Sequence, residues 1–214
     1  MLKSRLCIAF FAFAVGCAPA QKPLTDYVNP MLGTATLWDS VDLGFKPTKR
    51  TWGAEVFPGS SLPNAMVQVS PVTKFHSGAG YQYEDSVIYG FTHTNKGHWN
   101  LCHIPMLPVT GTPTPGDYCS PFSHERESAA PGYYQVFLDR YGVDAQLSST
   151  LRCAFHKYTY PAGAAPAVLA DLQRPNEHVR AWDIRKEGDN VFAGWQQTGE
   201  KMYFYAVANR PVTG

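Results

Sequence analysis

The chain has 214 residues, a formal net charge of +1 and 16% charged residues, with no clustered run of Lys and Arg. Near-neutral charge without a basic stripe excludes nucleic acid as the natural partner, because neutralising phosphates takes clustered cations. The 18 Gly and 17 Pro lie between apolar runs and aromatics reach 14%, a mixture that suits many short strands joined by tight turns.

The first residues read as a leader and not as part of the fold. Lys3 and Arg5 form a short positive region, followed by an apolar run over residues 6–15. That run is too short to span a bilayer but fits the hydrophobic region of an export signal. It ends in Ala14-Val15-Gly16-Cys17. Small residues before a cysteine resemble the lipobox of bacterial lipoproteins, with Cys17 as the lipidated new N-terminus, although Ala14 stands where Leu is usual. The alternative is cleavage near Ala18-Pro19-Ala20 and a soluble secreted product. The chain therefore divides into a leader (1–17), a linker (18–25) and a folded part (26–214). An exported protein is expected, lipid-anchored at the bacterial outer membrane or cell surface, otherwise periplasmic or secreted. It would touch a membrane only through the lipid.

The mature ~195 residues suffice for one domain with a real core. Residues 18–65 show little periodicity and read as an irregular lead-in with one or two short strands. Strands follow at 66–70 and 87–93. Residues 97–117 are loop-rich, with one apolar segment at 104–109. Residues 133–138 form a strand, 139–142 a turn, and 143–148 alternate apolar and polar in the period-two pattern of a half-buried strand. Further strands are predicted at 151–160, 167–172, 179–185, 191–197 and 201–208, the last three joined by Glu187-Gly188-Asp189-Asn190 and Thr198-Gly199-Glu200, both good hairpin turns. Strands about ten residues apart predict an all-β antiparallel β-sandwich. The apolar strand near the C-terminus needs an edge partner. We read the sandwich as incomplete there, the alternative being cover from an N-terminal segment.

Of five cysteines, Cys102, Cys119 and Cys153 lie beyond the leader. A Cys102–Cys119 bridge would close a short loop; the favoured alternative is three buried thiols acting as small hydrophobes. No nucleophile elbow, phosphate loop or His-Glu-x-x-His run is present. Glycoside hydrolysis would need paired carboxylates. Glu84, Asp85, Glu125 and Glu127 stand in polar segments and read as solvated, whereas Asp171 ends an apolar strand with no evident partner.

His93, His98 and His103 recur every five residues. On a strand that spacing alternates faces, so metal binding would require the loop to fold back. Ahead of metal binding stands a polar-aromatic loop that stacks on a sugar or another domain through Trp99, while His93, His98 and Asn100 offer hydrogen bonds to a sugar's hydroxyls. A set of structural residues satisfying one another is the alternative. Trp52 is a further candidate stacking residue, its alternative being burial under the lead-in.

Several motifs then occur in order: Asp26-Tyr27-Val28-Asn29-Pro30-Met31-Leu32-Gly33-Thr34, Phe57-Pro58-Gly59, Met66-Val67-Gln68-Val69-Ser70-Pro71, Gly80-Tyr81-Gln82-Tyr83, Tyr89-Gly90-Phe91-Thr92-His93-Thr94, Phe122-Ser123-His124-Glu125, Pro131-Gly132-Tyr133-Tyr134 and His156-Lys157-Tyr158-Thr159-Tyr160-Pro161. In this order they resemble the N-terminal domain of glycoside hydrolase family 92, the calcium-dependent exo-α-mannosidases. The resemblance implies a galactose-mutarotase-like supersandwich, followed in the family by an (α/α)6 barrel that carries the acid, the base and most of the calcium site. The sugar binds between the two, and configuration at the anomeric carbon inverts. No barrel sequence is present, so no catalytic or metal-ligating residue is carried over. After the His-Thr motif many members continue with Ser-Gly-x-Gly, where this chain has Asn95-Lys96-Gly97-His98-Trp99-Asn100. The expected function is the non-catalytic sandwich part of an inverting exo-α-mannosidase acting on α-linked mannose glycans, one wall of the sugar cleft, partnered by a C-terminal catalytic domain. A stand-alone carbohydrate-binding surface lipoprotein and a purely structural module are the alternatives.

Overall fold

The structure, a computed structural model, describes residues 21–36, 55–96 and 99–213. In chain order the strands are β1 (Ser60–Ser61), β2 (Gln68–Val72), β3 (Val87–Ile88), β4 (Gly90–Thr92), β5 (Asn95–Lys96), β6 (Trp99–Asn100), β7 (Met106–Thr110) and β8 (Ser120–Pro121). They continue as β9 (Glu127–Ala130), β10 (Tyr133–Leu138), β11 (Val143–Ser149), β12 (Ala154–Thr159), β13 (Pro166–Ala170), β14 (Ala181–Gly188), β15 (Val191–Gln197) and β16 (Lys201–Val207). Every strand pairing is antiparallel. The all-β antiparallel sandwich read from strand spacing is the fold.

Three sheets make the body: β1-β2-β4-β7-β13, β12-β11-β10-β9 and β14-β15-β16. Alternation along β10 and β11 sends Tyr134, Val136, Leu138, Val143, Ala145 and Leu147 inward, where they meet Val69, Phe91, Leu107 and Val109 of the first sheet. Burying each large apolar side chain contributes roughly 1.5–3 kcal/mol, so this interface is the main source of stability. Successive residues of β7 face opposite ways. Leu107 joins that core, whereas Met106 joins a second one with Ile104 and Leu172, against which Phe192, Met202 and Phe204 of the third sheet pack. The five-stranded sheet is thus the middle of three layers. Gln196, fully buried, pins the third layer: its Oε1 accepts from Ile104 N at 3.0 Å and its Nε2 donates to the Leu172 carbonyl at 2.7 Å.

The hairpin 133–149 follows the sequence reading closely, with Leu138 opposite Val143 across the predicted turn. Residues 87–93 do not form the single strand expected. The chain leaves one ladder for another at Tyr89: β3 pairs with β8, and β4 with β2 and β7. The loop-rich stretch after residue 94 holds an unpredicted hairpin, β5–β6. Gly59 has to be glycine, since a Cβ there would stand 2.1 Å from the Val69 carbonyl oxygen. All three cysteines beyond the leader are free thiols. Cys102 is buried as expected, but Cys119 is half-buried and Cys153 exposed, because the latter lies in the turn entering β12.

The face of the third sheet opposite its core is open. Tyr203, Tyr205 and Val207 are 65–70% exposed, and Lys201 Nζ sits 3.6 Å from the Trp195 ring centroid. Among the described residues β16 pairs with β15 alone. Among the described residues the strand anticipated at 202–208 is thus an edge of its sheet.

Candidate functional site

Of the residues predicted to meet a sugar, Trp52 and His98 lie outside the described residues, as does the lipidation candidate Cys17. Trp99 is half-buried on β6. His93 and Asn100 face the protein. Asn100 is fully buried, with Nδ2 donating to the Ala79 carbonyl and to Thr92 Oγ1, and Oδ1 accepting from Cys102 N at 2.7 Å. Its side chain has no capacity left for a ligand, because a buried amide spends its groups on the nearest protein partners.

His93 heads a chain of hydrogen bonds. Its Nδ1 lies 2.8 Å from the Ile104 carbonyl, which can only accept, so Nδ1 carries the proton. His93 Nε2 must then accept from His156 Nε2 at 3.0 Å, and His156 Nδ1 accepts from the Tyr158 hydroxyl at 2.6 Å. Both rings are therefore neutral. Burial pushes His93 down to about 4 and His156 well below the usual histidine range, the latter helped by its neighbour. His103, also buried, turns elsewhere, to Thr94 Oγ1 and Thr198 Oγ1; burial lowers it too. His93 and His103 do not converge on one metal position.

A cleft lies beside these residues. β2 ends at Val72, and residues 73–80 form a loop whose neck is closed by Thr73 N and Lys74 N, both donating to the Gly80 carbonyl. A second wall is the connector 173–179 between β13 and β14, and the third segment is the base of the β5–β6 hairpin. Two buried asparagines tie all three together. Asn100 N donates to the Gly78 carbonyl at 2.8 Å. Asn176 donates from Nδ2 to the Asn100 carbonyl and accepts from His76 N through Oδ1, each at 2.5 Å, while its own N–H reaches the Leu101 carbonyl. Gly80 lies at φ +77, and a Cβ there would stand 2.6 Å from Asn100 Nδ2. His76 holds φ +59, a left-handed conformation that costs about 1–3 kcal/mol in a non-glycine residue and persists only where neighbours enforce it; Asn176 is that neighbour.

The cleft is open and encloses about 700 Å³. Its floor is the aromatic pair Phe75 and Tyr89, ring centroids 5.5 Å apart, with the Arg174 guanidinium 5.9 Å from the first and 5.7 Å from the second. Lys74, His76, Gln173, Glu177 and His178 surround it. Apolar ring surface ringed by polar groups is what a sugar asks of a site. The sequence reading passed over these residues. Their signal was two short polar runs, Lys74-Phe75-His76 before a glycine-rich turn and Arg174-Pro175-Asn176-Glu177-His178 after a strand; nothing local placed one beside the other.

The carboxylates are largely engaged. Glu127, expected in solvent, has a side chain only 2% exposed. It accepts from the hydroxyls of Tyr81 and Tyr134 and from His124 Nδ1 at 2.5 Å. The correction has a simple cause: Glu127 opens β9 on the face that meets the core, where three donors replace water. Desolvation, with the nearby carboxylate, raises both tyrosines well above the usual phenol range. Asp171 accepts from the Tyr118 hydroxyl, and Asp85 from Thr73 Oγ1 at 2.7 Å. Calcium asks for six to eight oxygen ligands. Among the described residues no three of His, Cys, Asp and Glu gather to hold a metal.

No curated protein sequence matches the chain. Solved structures do. The family GH92 α-mannosidase BT3965 from Bacteroides thetaiotaomicron, in complex with mannoimidazole, is 28% identical with a TM-score of 0.77, over 90% of this chain and 26% of that one. The GH92 family glycosyl hydrolase ccman5 is 25% identical with a TM-score of 0.64, over 85% of this chain and 25% of that one. The family GH92 inverting mannosidase BT2199, also from Bacteroides thetaiotaomicron, shares the fold at 24% identity with a TM-score of 0.67, over 86% of this chain and 25% of its own. The chain thus spans about a quarter of the length of these solved relatives. The glycosyl hydrolase family 92 N-terminal domain matches over residues 27–214, and the chain belongs to that family.

Proposed function

We propose that this chain is the non-catalytic sandwich part of an inverting exo-α-mannosidase and forms one wall of its glycan cleft. The observation that carries the reading is the cleft of Phe75, Tyr89 and Arg174, ringed by polar side chains and built by three loops that Asn100 and Asn176 lash together. Inverting hydrolysis needs two carboxyl groups about 6.5–9.5 Å apart across the scissile bond. Among the described residues Glu177 alone of the carboxylates lines the cleft. The acid, the base and any calcium shell are therefore assigned to a further domain of the kind the longer relatives have. Export with a lipid on Cys17 fits an enzyme that meets glycans outside the cell.

The test uses the purified chain with a chromogenic aryl α-mannoside and, separately, with methyl α-mannoside in a binding titration. Binding without release of the aryl group is expected. Turnover by this chain alone would overturn the assignment of the chemistry to another domain.

A further inference from the structure

The side chains of β10, β11 and β12 that do not enter the core form a second face of their sheet. Register sets Tyr133 and Phe155 in one row on either side of Ser148, Gln135 beside Gln146 in the next, and Phe137 beside Asp144 in a third. Strands lie about 4.8 Å apart, so Tyr133 and Phe155 stand roughly 9.5 Å apart across the sheet. Phe155 is 61% exposed, and the small Ser148 between the rings is tied down, its Oγ donating to the Gly132 carbonyl at 2.9 Å. The polar groups beside the rings orient one another. The Tyr133 hydroxyl donates to Gln135 Oε1 at 2.9 Å, and Gln135 Nε2 and Gln146 Nε2 donate to the two oxygens of Asp144, each at 2.7 Å. A carboxylate has about four lone-pair sites, so Asp144 keeps acceptor capacity in a fixed geometry, and Gln146 Oε1 keeps its own. Past Asp144 the face ends in a hollow of about 310 Å³, walled in part by Phe137 and Arg126. Arg126 is engaged, with its guanidinium carbon 4.3 Å from the Phe137 ring centroid and an ion pair to Asp139.

Charges of both signs are interspersed here, Asp139, Asp144 and Glu125 against Arg126 and Lys157, so the face calls for no ionic partner. The centre of a protein interface is depleted of charge, whereas the centre of this face is a carboxylate held by two amides. Aromatic rings beside fixed acceptors suit a hydroxyl-rich ligand, whose C–H faces stack on the rings and whose hydroxyls donate to the oxygens. One pyranose ring cannot reach both Tyr133 and Phe155, so the ligand is a chain of sugars. We propose that this face is a second carbohydrate site, which binds a neutral glycan chain laid across β10 to β12, with sugar rings on Tyr133 and Phe155 and hydroxyls on Gln146 and Asp144. It is independent of the cleft described above, since no residue lines both.

The experiment is native affinity electrophoresis of the full chain in gels holding soluble α-mannan, hydroxyethylcellulose or polygalacturonate. One or both of the neutral polysaccharides should retard the chain. Replacing Tyr133 and Phe155 together with Thr keeps β propensity and removes both rings; the apparent dissociation constant should rise at least about tenfold. Phe155→Thr alone, at the more exposed ring, should raise it about threefold and decides the matter if the double variant fails to fold. Phe75→Ala, in the cleft, should leave retardation unchanged. Retardation by neither neutral polysaccharide, or by polygalacturonate alone, would overturn the inference. So would retardation that survives the loss of the two rings, and retardation abolished by Phe75→Ala would place all glycan binding in the cleft.

Discussion

Asn176 donates its side-chain amide to the backbone carbonyl of Asn100 at 2.5 Å, across 76 residues of sequence. Through that bond a connector of the outer sheet is fastened to the hairpin base, and through Asn176 Oδ1 the fastening reaches His76. The cleft is therefore a product of two buried amides more than of any strand.

Asn176→Ala should leave the Asn100 carbonyl and His76 N–H without partners. Each unsatisfied buried group costs about 1–3 kcal/mol. We expect lower stability in urea and faster amide exchange over residues 73–80 and 173–178. Exchange in β10 and β11 should keep its relative order. Uniformly faster exchange across the sandwich would show that Asn176 supports the whole fold rather than the cleft.

Acid should weaken the fold through His93 and His156. Both are held neutral below their unfolded values. The unfolded chain thus binds more protons than the folded one between about pH 6.5 and the His93 value of about 4. Stability is present above that window and is lost as pH falls through it, by up to about 3 kcal/mol for His93. Urea midpoints at pH 7 and pH 5 measure the loss. His156→Phe should flatten the slope; an unchanged slope would place the titration elsewhere.

Glu127→Ala strips the acceptor from Tyr81, Tyr134 and His124 together. Opening a buried charged network in this way costs about 3–5 kcal/mol. Glu127→Gln keeps an oxygen and should cost less. A thermal melt of the two variants ranks them; equal loss would mean that shape, not the acceptor, is what the position supplies.

The open face of β16 should make the isolated chain self-associate, since an unprotected aromatic edge invites pairing. Replacing Tyr203 and Tyr205 with Thr keeps β propensity and removes the exposed rings. Light scattering against concentration should fall in the double variant, while its urea midpoint moves by no more than about 0.5 kcal/mol equivalent.

Gly80→Ala meets both a positive φ and a 2.6 Å approach to Asn100 Nδ2. The loss should exceed the roughly 1 kcal/mol usual for a left-handed backbone alone. Denaturant titration checks it, and a neutral result would mean that the 73–80 loop can shift away.

What the sequence by itself determined was local. The alternation at residues 133–138 and 143–148, with the turn between them, specified a hairpin because both the pleat and the turn are short-range matters. The ordered motifs specified the family, and the apolar run at 202–208 specified a strand in want of an edge partner. Tertiary structure decided the polar chemistry. Glu127 looked solvated because its polar neighbours in sequence hid that the fold turns His124, Tyr134 and, from 46 residues away, Tyr81 onto its carboxylate. His93 looked like a ligand because the ring that satisfies it, His156, is 63 residues away. Lys74 and Arg174 looked unrelated until Asn176 brought their loops to one cleft. Hydrophobic periodicity repeats along the chain and can be read there, whereas a hydrogen bond between distant residues exists only once the sheets have stacked.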